Sequence, residues 1–286
     1  MLELTEREQS FTFVDVTEQP VPSLLRGFSA PVKLHYDYSD EELMFLMAHD
    51  SDGFNRWDAA QALSQRVILA MVAERAAGNP MRVPAGFVAA FDKALADEAS
   101  EPALLAEVLT LPSESYLGDQ MDSVDVDGIH AAREAVRETV GRELHGLLRH
   151  RYESLAVPGD YRPDPDAIGR RALRNLCLSY LLAAGADEDV ARCQAQYGAG
   201  HNMTDVITAL GLIADAELPA RAELIRHSLA VACAAGQIAE RAVDGTDPAL
   251  AYTAGLLHDI GKLALQDLMP RSLTAIAREA EVTGAS

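Results

Sequence analysis

The sequence predicts a mainly α-helical protein, an irregular solenoid of stacked antiparallel helix pairs with a short β segment at its N-terminus. Three observations lead to this fold class. Apolar residues recur at helical spacing in runs of 8 to 25 residues from Ser39 onward. Short loops with Gly, Pro or acidic clusters separate these runs, without strand patterns between them. No strict repeat is present, so the stack is expected to be irregular.

The first 38 residues have a different pattern, which predicts two β-strands. FTFVDV (11–16) and VKLHYDY (32–38) alternate apolar and polar residues, and a segment with three prolines and a glycine connects them. A two-stranded hairpin is only marginally stable in water. We therefore expect this segment to lie on the helices or to pair with strands outside this chain.

The first helices are predicted from their start and stop signals. Ser39 followed by Glu42 forms a capping box that opens the run LMFLMAHD. A second helix is expected from about Asn55 to the Gly78-Asn79-Pro80 stop, with Trp57 as a core anchor between two helices.

Further helices follow in the same manner to the end of the chain. The predicted ranges are Ala85–Ala99, Pro102–Leu109, Val126–Tyr152, Pro165–Ala184, Asp187–Tyr197, Met203–Ala216, Leu224–Val243, Ala249–Leu265 and Ser272–Val282. The acidic run 119–127 superficially resembles a calcium loop. It lacks the glycine at the sixth position and the terminal Glu, so a solvated loop is favoured.

Composition and charge exclude several classes of partner. The formal net charge is −20 and only three lysines are present, which argues against a nucleic-acid-binding basic face. No run of 18 apolar residues and no secretory leader occur, so we expect no membrane partner and a cytoplasmic location. Three cysteines (Cys177, Cys193 and Cys233) are too few for a disulfide framework and are expected to be reduced core thiols.

Five blocks of sequence resemble the C-terminal part of bacterial aminopeptidase N, a zinc metallopeptidase. The blocks are PVPSLLRGFSAPVKL (20–34), LMAHDSDGFNRWDAAQ (46–61), ALLAEVLTLPSESYLGDQMDSVD (103–125), RRALRNLCLSYL (170–181) and HNMTDVITAL (201–210). They occur in the family's order over about 200 residues. The resemblance implies the end of a β-sandwich domain, followed by the helical domain that caps the catalytic domain.

The zinc chemistry of that family has no counterpart in this sequence. HExxH is absent, and none of the eight histidines is followed by Glu. We therefore expect no catalytic residue of the family and no zinc site of its type. The helical-region histidines are interpreted as surface or hydrogen-bonded residues: His49, His130, His145, His150 and His201.

The last 60 residues or so resemble the opening of an HD-superfamily domain, most closely the HDOD branch. The blocks are IRHSLAVACAAGQIAE and AYTAGLLHDIGKLAL. The resemblance implies an incomplete divalent-metal site formed by His227, His258 and Asp259, with Lys262 as a phosphate contact. Imidazole and carboxylate ligands suit a metal ion that activates water toward a phosphoester. The alternative is structural, with His258 and Asp259 capping a helix packed on Leu224–Val243.

Together the two resemblances predict a fused or shortened chain with three parts: a β remnant (1–38), an aminopeptidase N C-terminal-type helical domain (39–222) and an incomplete HDOD-like segment (223–286). The favoured function is a non-catalytic helical scaffold that binds a protein partner or itself through exposed apolar faces. One alternative is a part of an alanyl-type zinc aminopeptidase. The other is a metal-dependent HD-type phosphohydrolase or signalling module.

Overall fold

Two long helices, α2 (Gly53–Ala76) and α8 (Pro165–Ala183), organise the fold. The structure is a computed structural model that describes residues 3, 5–157, 159, 161–216, 219–241 and 247–255. The other helices are α1 Asp40–His49, α3 Ala85–Leu95, α4 Pro102–Leu109, α5 Glu114–Gly118, α6 Val126–Glu143, α7 His145–Ser154, α9 Asp187–Ala199, α10 Met203–Asp215 and α11 Pro219–Arg241. Residues 248–255 are also helical.

The helices stack in layers along the chain, as expected for an irregular solenoid. Helix α2 packs against α1, α4 and α6, and α1 also contacts α3. Helix α8 also packs against α4 and α6 and continues the stack to α7, α9 and α10. Helix α11 contacts α10. The predicted helical solenoid is confirmed.

One continuous apolar core runs between these layers. Its largest fully buried side chains include Phe87 and Phe91 of α3 and Leu63 and Ile68 of α2. The hydroxyl of Tyr180 on α8 donates to the carbonyl of Leu109 across 2.7 Å, so this buried polar group is satisfied. Trp57 is half-buried against the same core, in agreement with its predicted anchoring position.

Side-chain caps fix the helix starts that the sequence signals. Ser39 and Glu42 form the predicted capping box at the start of α1. Asp164 accepts from the Ala167 N–H, directly before the proline that opens α8. In the acidic run, Asp125 caps α6 by accepting from the Gly128 N–H, so this loop has a structural role at that residue.

The structure corrects the predicted helix Val126–Tyr152, which is two helices. Leu144 leaves helical geometry with φ −105° and ψ 17°, and separates α6 from α7. Both helices pack on α8, and the bend lets them follow it. Helices α6 and α8 approach closely, since a Cβ on Gly141 of α6 would lie 2.1 Å from the Tyr180 carbonyl oxygen of α8.

Two further expectations are corrected. The predicted strands at 11–16 and 32–38 are not formed, because no backbone hydrogen bonds of the described residues pair either segment with a neighbour. Cys233 is exposed on α11, whereas Cys177 and Cys193 are buried as predicted. Burial raises the pKa of both buried thiols to about 12. Among the described residues, no helix is long and apolar enough to cross a membrane.

Candidate functional site

The predicted metal ligands fall at the edge of the described structure. His227 lies on α11, where its backbone is helical and its side chain is not described. His258, Asp259 and Lys262 lie outside the described residues. The HD-type trio therefore remains a prediction.

The described part of this region shows how its two helices meet. A Cβ on Gly255 would lie 2.8 Å from Cα of Ala232, and one on Gly236 would lie 3.5 Å from Cβ of Tyr252. The order of these contacts is antiparallel, because Tyr252 precedes Gly255 while Gly236 follows Ala232. Small residues at both crossing points allow the helices to approach closely.

A polar clamp holds the N-terminal segment on the loop between α1 and α2. Nη1 of Arg26 lies 2.8 Å from Oδ1 of Asp50, and Nη2 donates to Ser51 over 2.8 Å. The Gly27 N–H donates to Asp52, and the Asn55 amide donates to the Leu24 carbonyl, both over 2.8 Å. Residues 23–27 are thereby fixed to the start of the solenoid.

The chain on both sides of this clamp exposes large apolar side chains. Phe13 is 62% exposed and Val14 is 77% exposed, although both residues are large and apolar. We call the set the N-terminal apolar surface: Phe11, Phe13, Val14, Val16, Val32, Leu34 and Tyr36. Exposed apolar patches are typical of interaction sites, so this set is a candidate interaction surface.

Next to the clamp, an aromatic ring of the N-terminal segment contacts aromatic rings of α2. The ring centroids of Phe28 and Phe54 are 5.0 Å apart, and those of Phe54 and Trp57 are 5.7 Å apart. Phe28 is 57% exposed. Sequence reasoning identified Trp57 but missed this group, because Phe28 reaches α2 only through the folded Arg26–Phe28 turn.

A cluster of one histidine and two carboxylates lies between α7 and α9, and it was not predicted from the sequence. One ligand atom from each of His145, Glu188 and Asp189 lies within 4.8 Å of the others. Nε2 of His145 is 2.7 Å from Oδ2 of Asp189 and 3.8 Å from Oε1 of Glu188. His145 is 43 residues from Glu188 along the chain, so only the folded helices bring them together.

The cluster already satisfies its buried carboxylate without a metal ion. Asp189 is completely buried, and Arg192 forms an ion pair with its other oxygen, Oδ1. The guanidinium charge opposes a bound cation at this place. This arrangement is best interpreted as an ion-pair network that attaches α9 to α7.

Comparison with known families is consistent with the layered helical architecture. A family model described as a domain of unknown function with ARM repeats (DUF3458_C) matches residues 40–230. The chain belongs to the DUF3458_C family. Within it, α1 to α10 and the first half of α11 form the ARM-type helical stack.

Curated relatives of this DUF3458_C chain are aminopeptidases. It is 40% identical to aminopeptidase N of Escherichia coli K12 over 227 residues, which cover 79% of this chain and 26% of that protein. It is 39% identical to aminopeptidase N of Caulobacter vibrioides over 208 residues, which cover 72% of this chain and 24% of that protein. The chain spans about a quarter of the length of these relatives. The predicted relation to the C-terminal part of aminopeptidase N is confirmed.

A solved structure supports the fold. The crystal structure of Legionella pneumophila aminopeptidase A in complex with aspartic acid matches with a TM-score of 0.62 at 24% identity. The match covers 88% of this chain and 33% of that one.

Two further family models match the ends of the chain. A DUF3458 domain with an Ig-like fold matches residues 1–37, and an HDOD domain matches residues 202–286. The HDOD and DUF3458_C matches share residues 202–230, which include α10 and part of α11. The predicted HDOD resemblance is thereby confirmed.

Proposed function

We propose that the chain is a non-catalytic helical scaffold, derived from the aminopeptidase N C-terminal region, that associates through the N-terminal apolar surface. The observation that carries the proposal is the exposure of Phe13 and Val14 beside a segment clamped to the solenoid by Arg26. A loosely attached tail would present no defined surface. Here the clamp at Arg26 attaches the segment to the solenoid beside the exposed residues.

The proposed occupant of the surface is a second copy of this chain. Residues 11–16 alternate apolar side chains, and no backbone hydrogen bond joins them to another described segment. Backbone without a hydrogen-bonded neighbour can pair with an identical segment of a second copy, and such a contact is symmetric. Because each copy carries a net charge of −20, salt is expected to strengthen the association.

Sedimentation velocity of the full chain tests this proposal. We expect a dimer that becomes more populated when NaCl is raised from about 0.05 M to about 0.5 M. Combining Phe13→Ser with Val14→Ser should return the chain to a monomer. The matched control is Phe45→Ser on α1, where Phe45 is 51% exposed outside this surface. A monomer under all conditions, or an equal loss of dimer in the Phe45→Ser control, would overturn self-association through this surface. The partner would then have to be a different protein.

A second candidate function is a part of a zinc aminopeptidase, favoured by the 40% identity to aminopeptidase N. Hydrolysis of an alanine p-nitroanilide by the purified chain, abolished by a chelator, would support it. We expect no hydrolysis by the chain alone, since the sequence has no HExxH.

A third candidate is an HD-type metal-binding or signalling module in the HDOD-like segment. What supports it is the contact between Ala232 and Gly255, since His227 precedes Ala232 by five residues and His258 follows Gly255 by three. Elemental analysis of the wild-type chain and of His258→Ala tests this candidate. Stoichiometric metal in the wild type that is lost in the variant would support a metal site formed by His227, His258 and Asp259. Metal-free wild-type protein would instead favour a helix-capping role for His258 and Asp259.

We also propose that this protein is located in the cytoplasm. The support is the presence of three free cysteines, Cys177, Cys193 and Cys233, since a reducing compartment keeps thiols in this state.

A further inference from the structure

Helix α10 belongs to two matched domains at once. The DUF3458_C match extends to residue 230 and the HDOD match begins at residue 202, so both include the whole of α10. Two independent domains are normally joined by an exposed linker, and each keeps its own helices. Here the end of one match is the start of the other, and α10 lies in the shared part.

The apolar face of α10 is built into the core of the solenoid. Ile207, Ala209, Leu210 and Ile213 are each no more than 5% exposed, and the helix packs against α8 and α9. Sγ of Cys193 on α9 donates to the Ala209 carbonyl over 3.6 Å. Separating α10 from the solenoid would expose this apolar face to water, which is unfavourable.

A buried polar network holds the first turn of α10 at the same place. Oδ1 of Asp205 accepts from Nδ2 of Asn175 on α8 over 3.0 Å, and Nη1 of Arg174 lies 3.5 Å from Oδ2. The Asp205 carbonyl accepts from Nε2 of Gln196 on α9 over 3.1 Å. Because a buried carboxylate without partners is strongly destabilising, these contacts hold α10 in one position on α8 and α9.

The helices of the HDOD-like segment are attached to the solenoid through α10. Three residues connect α10 to α11, and α11 packs on α10. Residues 248–255 pack in turn on α11, where Ala232 and Gly255 are both buried. In helical stacks each layer is stabilised mainly by its neighbours. The main path of contacts from the solenoid to the HDOD-like helices therefore passes through α10 in the described part of the chain.

We propose that α10 is a shared helix that couples the HDOD-like segment to the solenoid, so that α11 is folded only while the Asp205 network holds α10 in place. Coupling of this kind is reciprocal. A ligand that binds the HDOD-like segment only when α11 is folded would in turn hold α10 on the solenoid. The coupling requires no metal ion, so it is independent of the three candidate functions.

Cys233 supplies a probe on α11 in the full chain. It is exposed, whereas Cys177 and Cys193 are buried, so a trifluoroacetonyl reagent labels Cys233 selectively under native conditions. The ¹⁹F NMR signal of the label then follows the unfolding of α11 in urea. Circular dichroism of the same samples follows the helices of the whole chain.

Two variants and one matched control test whether α11 depends on the attachment of α10. Asp205→Ala removes the carboxylate of the network and should lower the urea midpoint of the ¹⁹F signal by roughly 0.5–1 M. Asn175→Ala lies outside the HDOD match and should lower it in the same direction, so its effect on α11 must pass through α10. Thr204→Ala, at the neighbouring exposed position of α10, should shift the midpoint by less than about 0.2 M.

The label distinguishes coupling from independent folding. A ¹⁹F midpoint that is unchanged in Asn175→Ala, while circular dichroism shows that the solenoid is destabilised, would overturn the proposal. Equal shifts in Asp205→Ala and Thr204→Ala would also overturn it. Where Asp205→Ala is unfolded without urea, Asn175→Ala still decides, because Asn175 belongs to the solenoid alone.

Discussion

Nε2 of His145, at the start of α7, lies 2.7 Å from Oδ2 of Asp189, in the first turn of α9. Asp189 is completely buried, and its other oxygen pairs with Arg192. A buried carboxylate needs such partners, because an unpaired buried charge is strongly destabilising. The pair therefore attaches the C-terminal half of the solenoid across 44 residues of sequence.

Replacing Asp189 should loosen this attachment. Asp189→Asn removes the negative charge shared by His145 and Arg192, and we expect the free energy of unfolding to fall by about 2–4 kcal/mol. Urea denaturation measures the change. The control is Asp187→Asn, two residues earlier in the same helix turn and exposed, which should change stability by less than about 0.5 kcal/mol. Equal effects at both positions would contradict the role of the buried pair.

A pair of glycines in neighbouring helices should respond oppositely to alanine. Gly141→Ala places a Cβ 2.1 Å from the Tyr180 carbonyl oxygen, so α6 and α8 must separate, and we expect a loss of about 3 kcal/mol or more. At Gly146 a Cβ meets no atom within 4 Å. Gly146→Ala should therefore stabilise the protein by about 0.5 kcal/mol through helix propensity. Thermal denaturation of the two variants checks the sign, and a mild effect at Gly141 would show that the helix contact is less tight than described.

The clamp between Arg26 and Asp50 should make stability depend on pH in the acidic range. Although burial opposes ionisation, hydrogen bonds from Ser23, the Asp52 N–H and Arg26 hold the pKa of Asp50 below its usual 3.8. A lowered folded-state pKa contributes stability above the unfolded-state pKa, and this contribution is lost as pH falls through the folded-state pKa.

Comparison of the wild type with Asp50→Asn measures this contribution. At about pH 7 we expect the variant to be less stable by about 1–3 kcal/mol, and below about pH 3 the difference should shrink. Asp37→Asn is the control, since Asp37 is exposed and forms no ion pair with the described residues. A difference for Asp50→Asn that stays constant with pH would show that its carboxylate gains nothing from the clamp.

Local signals made most helices predictable. The Ser39 capping box, the proline at position 165 and the glycine at position 78 each mark a helix end through nearby backbone geometry. The break at Leu144 was missed because Leu144 itself is not a Gly, a Pro or a residue that caps a helix with its side chain. Both α6 and α7 pack on α8, and these contacts exist only in the folded chain.

The candidate sites were less predictable for the same reason. The pair of His145 and Asp189 joins α7 to α9 across 44 residues of sequence, so no local pattern predicts it. The alternation in residues 11–16 indicates a strand, yet a strand forms only with a partner, and none of the described segments supplies one. Periodicity indicates what a segment can form, and tertiary contacts decide whether it does.

Gln196 on α9 is the centre of a buried polar network, and its replacement supplies the last prediction. Its amide nitrogen donates to Asn175 over 2.8 Å and to the Asp205 carbonyl over 3.1 Å, while its oxygen accepts from Tyr152 over 2.9 Å and from Arg174 over 3.0 Å. Gln196→Leu keeps a similar volume but leaves these partners unsatisfied, so we expect a loss of about 3 kcal/mol or more. Tyr152→Phe removes one hydroxyl from the same network and should cost about 1 kcal/mol. Urea denaturation of both variants should reproduce this order, because the penalty grows with the number of buried groups left without a partner. Equal losses would show that Tyr152 alone carries the contribution of the network.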